Sequence, residues 1–260
     1  MTITILAIFA FVLGAIVGSF LNVAILRLPV PGQSVIFPAS HCPACKTPLA
    51  WYDNIPLLSF LILRGRCRSC RAAISWQYPA VELAMAFFSL ALVLHFDFPS
   101  PFFGFFLFTA ALLVIIVIDF RHQLIPDIIS IPGILIGFAF SFFNPLVTWS
   151  DSGLGILFGG GSLFLVTWGY YLFTGRVGMG GGDIKLLAMI GAFLGYQCLF
   201  FVIFSSALLG SLAGIVAMVK QKKGGQTVIP YGPFLATGAL LYLFFAPQIQ
   251  FYVRSLLLPH

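Results

Sequence analysis

Long runs of apolar residues, separated by short polar stretches, dominate the hydropathy pattern of the chain. A transmembrane helix needs about 20 mostly apolar residues to cross the hydrocarbon core of a bilayer. The pattern contains eight such runs, of which the sixth is short for a complete crossing. The runs cover approximately residues 3–26, 79–96, 101–118, 128–143, 153–173, 183–195, 198–219 and 232–253. We therefore expect about eight transmembrane helices.

One long polar segment, residues 27–78, follows the first apolar run. The first run has no basic residue ahead of it and is too long for a cleaved signal peptide, so we interpret it as a true transmembrane helix. The sequence thus predicts three parts: a first transmembrane helix at 1–26, a cytoplasmic loop domain at 27–78, and a transmembrane core of seven helices at 79–260.

The composition excludes an ordinary soluble protein and an intrinsically disordered one. Hydrophobic residues make up 60% of the chain and charged residues 8%, against roughly 25% charged residues in a typical soluble domain. Cytoplasmic loops are enriched in Lys and Arg, and twelve of the thirteen basic residues fall on one side of the eight-helix topology. The polar segment is therefore predicted to be cytoplasmic, with both termini periplasmic. The net charge of +6 then reflects topology and anionic lipid headgroups, and no nucleic-acid partner is expected.

The polar segment carries two C-x2-C motifs, Cys42 with Cys45 and Cys67 with Cys70, separated by 21 residues. This spacing is typical of a tetrahedral zinc site with four thiolate ligands. Two disulfides are disfavoured in a reducing compartment, while iron or a redox-active dithiol are alternatives. Four protein ligands leave no open metal position, so we expect a structural zinc that folds a loop with little core of its own.

Two aspartates lie at the ends of predicted helices: Asp119 follows the third apolar run and Asp183 begins the sixth. The topology places both at the cytoplasmic edge of the membrane. An ionisable group beside hydrocarbon is costly and therefore indicates function. Two carboxyl groups at one level can share a proton, so that one activates water while the other polarises a carbonyl group. The pair predicts a hydrolytic site of the aspartic-protease type.

A glycine-rich run, residues 178–182, directly precedes Asp183. Gly180 and Gly182 allow a sharp bend and a close approach of substrate backbone. The alternative is an ordinary flexible loop with Asp183 as a helix cap. Lys185, two residues further on, could bias the ionisation of Asp183, and Asp127 is placed to cap the fourth predicted helix.

Taken together, the motifs resemble the bacterial type IV prepilin peptidases, which belong to the GxGD group of intramembrane aspartic proteases. The resemblance covers nearly the whole chain. It rests on these ordered motifs: GSFLNV at 18–23, RLP at 27–29, SHCPAC at 40–45, NIP at 54–56, LRGRCRSC at 63–70, YPAVE at 78–82, Asp119 with IPD at 125–127, and GGGDIKL at 180–186.

The resemblance implies that Asp119 and Asp183 form the catalytic dyad. It also implies the substrates, which would be precursors of type IV pilins or of the pseudopilins of type II secretion. Cleavage after a Gly at the cytoplasmic face would remove a short basic leader. Asp53, Glu82 and Asp127 are candidate attractors for that leader, although Asp53, the sole acid of the basic segment at 27–78, is more readily assigned to a pair with one of its arginines. Members with these cysteines usually also methylate the new N-terminus with S-adenosylmethionine, and a peptidase without this second activity is the alternative.

Three other functional classes compete with this reading. A transporter that relays protons would carry its acids near the middle of the bilayer rather than at one edge. A membrane redox protein would use the cysteines with an electron carrier. A non-catalytic assembly factor would have no need of both aspartates. We expect a multi-pass protein of the bacterial inner membrane, with the lipid bilayer and prepilins as partners and an oligomeric state that the sequence leaves open.

Overall fold

The computed structural model describes residues 2–96, 100–176, 178–221 and 229–257. Over these ranges the chain forms nine α-helices and no β-strand. They are α1 (Thr2–Arg27), α2 (Leu58–Ile62), α3 (Gln77–His95), α4 (Ser100–His122), α5 (Asp127–Ser141), α6 (Trp149–Thr174), α7 (Gly181–Leu194), α8 (Leu199–Gln221) and α9 (Gly232–Leu257). Short 3-10 helices lie at Trp51–Asn54 and Tyr196–Cys198.

The predicted all-α polytopic membrane fold is confirmed, because α1 and α3 to α9 correspond to the eight apolar runs. Within the described ranges, six candidate spans have the length and hydropathy to cross a membrane: Ile3–Arg27, Gln77–His95, Pro101–His122, Trp149–Thr174, Tyr196–Val219 and Gly232–Tyr252. Helices α5 and α7 are shorter, with 15 and 14 residues. They rise only about 22 Å, against a hydrocarbon core of about 30 Å.

The chain divides into two compact units, Met1–Val114 and Ile115–His260. The first unit is organised by the packing of α1 against α3. A Cβ atom at Gly14 would lie 2.6 Å from the carbonyl oxygen of Met85, and one at Gly18 would lie 2.7 Å from the α3 backbone. Small residues let membrane helices approach to backbone contact. These two glycines therefore fix the face of α1 that meets α3.

In the second unit, the short helix α7 packs against α5, α6, α8 and α9. Its residues from Leu186 to Leu194 are all buried. The closest approach is to α6, where Gly155 and Gly191 meet backbone to backbone and would clash if either carried a Cβ atom. Because protein surrounds α7, this helix can be shorter than one that must match the bilayer thickness by itself.

Helix α9 is kinked in its second half. Phe245 has non-helical angles of φ −121° and ψ 18°, and Pro247 follows two residues later. Proline lacks the N–H group that a helix ladder requires, and its ring clashes with the preceding turn. The regular part of α9 therefore runs from Gly232 to the residue before Phe245.

We expect Gly191→Ala to destabilise the second unit. The added Cβ atom would collide with the backbone at Gly155, which cannot rotate away as a side chain can, and overpacking of this kind costs about 1–3 kcal/mol. Gly161→Ala on α6 is the matched control, because a Cβ atom there meets nothing within 4 Å. Thermal unfolding in detergent should give a lower midpoint for Gly191→Ala alone. Equal midpoints for the two variants would contradict the backbone contact.

Candidate active site and metal centre

Asp119 lies near the C-terminal end of α4, and only 4% of the residue is exposed. Its Oδ2 atom accepts a hydrogen bond of 3.1 Å from the backbone N–H of Gly232. Gly232 is the first residue of α9, so the N-terminus of that helix faces the carboxyl group. A helix N-terminus is a favourable position for an anion, because its free N–H groups carry partial positive charge.

Asp183 lies in the first turn of α7 and is half-buried. Its neighbour Gly182 and Gly232, the donor to Asp119, both pack on Ile125, so the two carboxyl groups border one site. Ile125, between α4 and α5, borders the same site on two sides. A Cβ atom at Gly182 would lie 2.9 Å from the Cβ of Ile125, and one at Gly232 would lie 3.0 Å from its Cδ1. The structure thus brings the predicted pair together where α4, α7 and α9 meet.

The glycine run before Asp183 has two kinds of glycine. Gly180 is the N-cap residue of α7, with φ −69° and ψ 144°, which is extended backbone that other residues also adopt. A Cβ atom at Gly180 would meet only the Oδ2 of Asp183, at 3.9 Å, and one at Gly181 would meet nothing within 4 Å. Gly180 therefore leaves the space beside the Asp183 carboxyl group free of a side chain, and Gly181 faces open space. Gly182 is sterically required, since Ile125 occupies the adjacent space.

Lys185 and Asp127 form an ion pair at 2.7 Å that joins α7 to α5. The expectation that Asp127 caps its helix is wrong. Pro126 occupies the N-cap position of α5, and no side chain makes a capping hydrogen bond there. Asp127 follows the cap as the first helical residue, where its carboxylate can reach Lys185 instead. The pairing also engages the Lys185 ammonium group that was expected to bias Asp183.

Three further residues contribute to this site and were not predicted from the sequence: Gly232, Tyr231 and Ser206. Gly232 donates to Asp119, and the hydroxyl group of Tyr231 lies 2.6 Å from the Oγ atom of Ser206 on α8. Burial raises the pKa of Tyr231, the Ser206 hydrogen bond lowers it, and the charge of Asp183 raises it. The sequence does contain a sign of this feature. The two prolines and the glycine of residues 230–233 indicate a turn directly before the last apolar run.

The four predicted metal ligands, Cys42, Cys45, Cys67 and Cys70, form a second site, in the first unit. Their sulfur atoms all lie within 4.8 Å of one another, and Cys42 Sγ is 3.8 Å from Cys70 Sγ. A tetrahedral zinc site with Zn–S bonds of about 2.3 Å has sulfur–sulfur edges of about 3.8 Å. The donor set therefore fits tetrahedral zinc.

The two cysteine motifs fold into matching turns. The N–H groups of Cys42 and Cys67 each donate to the carbonyl group five residues further on, at 3.0 and 2.8 Å. Lys46 and Arg71, each directly after the second cysteine of its motif, have φ values of 60° and 61°. This left-handed conformation turns the chain back so that both thiols of a motif point the same way. Each motif thus presents two ligands from one preformed turn.

Asp53 and Glu82 already have partners within the first unit. Arg68 donates to both carboxylate oxygens of Asp53, at 2.6 Å in the shortest contact, and holds the pKa of the Asp53 carboxyl below its ordinary value. Glu82 is buried and accepts a hydrogen bond of 2.8 Å from the N–H of Leu57. A basic peptide would compete with Arg68 for Asp53, and the leader-binding role of both acids stays a prediction.

Comparison with known proteins gives two family matches and several relatives that align over most of both chains. Residues 12–96 match the bacterial peptidase A24 N-terminal domain, and residues 106–215 match the type IV leader peptidase family. Prepilin leader peptidase/N-methyltransferase of Stutzerimonas stutzeri is 38% identical over 92% of this chain and 91% of its own length. The proteins of the same name from Pseudomonas aeruginosa and Aeromonas hydrophila are 38% and 35% identical, over 91% and 95% of this chain and 89% and 93% of their own lengths. No solved structure matches.

We expect purified protein to contain one zinc ion per chain, and Cys67→Ser to lose it. A hydroxyl group is a poor zinc ligand, and three thiolates hold the ion less tightly than four. Cys198→Ser is the matched control, because Cys198 is buried on its own and donates to the carbonyl group of Gly195 at 3.1 Å, a bond that serine can keep. Elemental analysis by mass spectrometry measures the metal. Zinc retained by Cys67→Ser at the wild-type level would contradict the site.

Proposed function

The chain belongs to the type IV leader peptidase family, and on that premise we propose that it removes the leader of prepilins or pseudopilins and methylates the new N-terminus. One observation carries the proposal: Asp119 on α4 and Asp183 on α7 come together around Ile125, against which Gly182, next to Asp183, and Gly232, the donor to Asp119, both pack. Both aspartates also lie inside the segment that matches the family, residues 106–215. Relatives named for the two activities align along nearly the full chain.

The two carboxyl groups can hydrolyse a peptide bond by exchanging protons with water and substrate. One carboxylate takes a proton from water as the water oxygen bonds to the scissile carbonyl carbon, while the partner carboxyl group protonates the carbonyl oxygen. The resulting diol then returns a proton to the partner as the carbon–nitrogen bond breaks. The first carboxyl group protonates the leaving nitrogen. Both groups end in their starting protonation states, and the products are an acid and an amine.

The amine product is the substrate of the second activity. S-adenosylmethionine would supply an electrophilic methyl group to this N-terminal nitrogen, which must be unprotonated to accept it. We propose zinc on the four cysteines as a structural element of the loop domain at 27–78, which lies between the first transmembrane helix at 1–26 and the core at 79–260. The clustering of the four sulfur atoms within 4.8 Å of one another supports this role.

We further propose that the loop domain and both aspartates lie on the cytoplasmic side of the inner membrane, with the termini on the periplasmic side. The distribution of Lys and Arg supports this orientation. Asp119 and Asp183 would then meet the substrate where its basic leader joins its apolar helix. Gly180, which places no side chain beside the Asp183 carboxyl group, would admit an extended stretch of substrate backbone.

Asp119→Asn and Asp183→Asn should each reduce leader cleavage by at least about 100-fold, since each removes one proton-transfer group and preserves size. Purified variants would be incubated with a prepilin and S-adenosylmethionine, and the N-terminus of the product read by mass spectrometry. A methyl mass on the wild-type product is expected, and its absence would leave a peptidase alone.

Asp151→Asn is the matched control for these two substitutions. Asp151 belongs to the capping box at the start of α6, and asparagine keeps an oxygen that can accept the same hydrogen bonds. This variant should cleave at the wild-type rate. If either Asp119→Asn or Asp183→Asn cleaved as fast as Asp151→Asn, the aspartic mechanism would be wrong.

The orientation can be tested with a membrane-impermeant maleimide on intact cells. Ser150→Cys, before the second turn of α6, should be labelled from outside, whereas Arg176→Cys, just after α6, should react only after lysis. The wild-type chain, with its own five cysteines, gives the background. The reverse labelling pattern would contradict the proposed sidedness.

A further inference from the structure

The first turn of α9 leaves one backbone donor free for the active site. Helix N-termini have N–H groups without partners inside the helix. In α9, the N–H groups of Phe234 and Leu235 donate to the carbonyl group of Tyr231, at 3.1 and 3.2 Å. Pro233 has no N–H group. The remaining donor of this turn is Gly232, and its hydrogen bond goes to Asp119.

This hydrogen bond depends on the missing side chain of Gly232. A Cβ atom there would lie 2.6 Å from the Oδ2 of Asp119 and 3.0 Å from the Cδ1 of Ile125. Neither neighbour has much freedom, since Asp119 and Ile125 are both buried. Any larger residue would push the start of α9 away from the carboxyl group. The bond between Tyr231 and Ser206, at 2.6 Å, ties the same turn to α8.

The two carboxyl groups of the dyad differ in the hydrogen-bond donors that reach them. Asp119 has the Gly232 donor and faces the positive end of the α9 dipole. No hydrogen bond reaches the Asp183 carboxyl group from the residues that the structure describes, although its own N–H bonds to the carbonyl group of Gly180 at 3.3 Å. A hydrogen-bond donor aimed at a carboxyl group favours its ionised form. If the two carboxyl groups share one proton, that proton resides on Asp183, the carboxyl group without a hydrogen-bond donor among the described residues.

We propose that Gly232 is a positioning residue that keeps Asp119 ionised as the general base, which leaves Asp183 as the proton-carrying acid of the dyad. This assignment rests on the proposed function. Asp119 would take the proton from the attacking water and later give it to the leaving nitrogen. Asp183 would protonate the scissile carbonyl oxygen and recover that proton from the diol.

Within the part of the chain that the structure describes, few other titratable groups lie near Asp119. Asp183 of α7 and Tyr231, the residue directly before Gly232, border the same site. Lys185 of α7 is engaged with Asp127 of α5. Ser206 of α8 does not titrate in this range. A change in the pH dependence on altering Gly232 therefore reports on the dyad.

The kinetic test compares wild type, Gly232→Ala and the control Gly161→Ala, whose added Cβ atom meets nothing within 4 Å. Gly232→Ala should lower kcat for leader cleavage roughly 100-fold through misplacement of the base, with KM changed less than about twofold. The acid limb of its kcat/KM profile should move to higher pH, because a carboxylate that loses its donor takes up a proton more readily. Wild-type kcat and an unmoved acid limb would overturn the assignment.

An infrared titration tests the assignment without activity and without Gly232→Ala. The absorption of the protonated carboxyl group would be followed against pH in Asp119→Asn and in Asp183→Asn, so that one member of the dyad remains each time. The remaining Asp119 should ionise at lower pH than the remaining Asp183. The opposite order, or equal values, would overturn the assignment even if both variants confirm that cleavage needs the dyad.

Discussion

Backbone contact between α6 and α7 is the constraint on which the second unit depends. Gly155 and Gly191 allow these helices to touch without intervening side chains. In lipid, such packing replaces the hydrophobic drive that would join helices in water. It permits α7 to be short and enclosed, and an enclosed helix has little freedom to slide. Asp183 lies in the first turn of α7, so the packing of this helix also fixes the position of Asp183.

The surroundings of the two aspartates also explain how a membrane protein can tolerate two buried carboxyl groups. A buried carboxylate without a hydrogen-bond donor is strongly unfavourable. Asp119 receives its donor from the start of α9, and the nearby cation Lys185 is held by Asp127 rather than by the dyad. Among the described residues, no other cation pairs with the dyad, and the two carboxyl groups are left to share their proton. That arrangement suits proton exchange with a substrate better than it suits a permanent ion pair.

Most of the helices and both functional clusters were predictable from the sequence, for identifiable reasons. Apolar runs and the C-x2-C spacing are local signals, and Asp119 and Asp183 were conspicuous because acids are rare in this chain. The role of Gly232 was not predictable, since it depends on how the start of α9 meets α4 across more than a hundred residues of sequence. The ion pair between Asp127 and Lys185 was not predicted for the same reason. Capping rules consider only residues near the helix end, whereas Lys185 lies on another helix.

The matching turns of the two cysteine motifs have a consequence for how the loop domain holds together. Each turn closes through its own backbone hydrogen bonds, so a bound ion would act as a cross-link between two small folded pieces. The cross-link spans the 21 residues between Cys45 and Cys67. A cross-link that closes a loop of this length lowers the chain entropy of the unfolded state. In the simplest treatment this raises the free energy of unfolding by about 3 kcal/mol. Loss of the ion would therefore release the tether between the turns while leaving each turn intact.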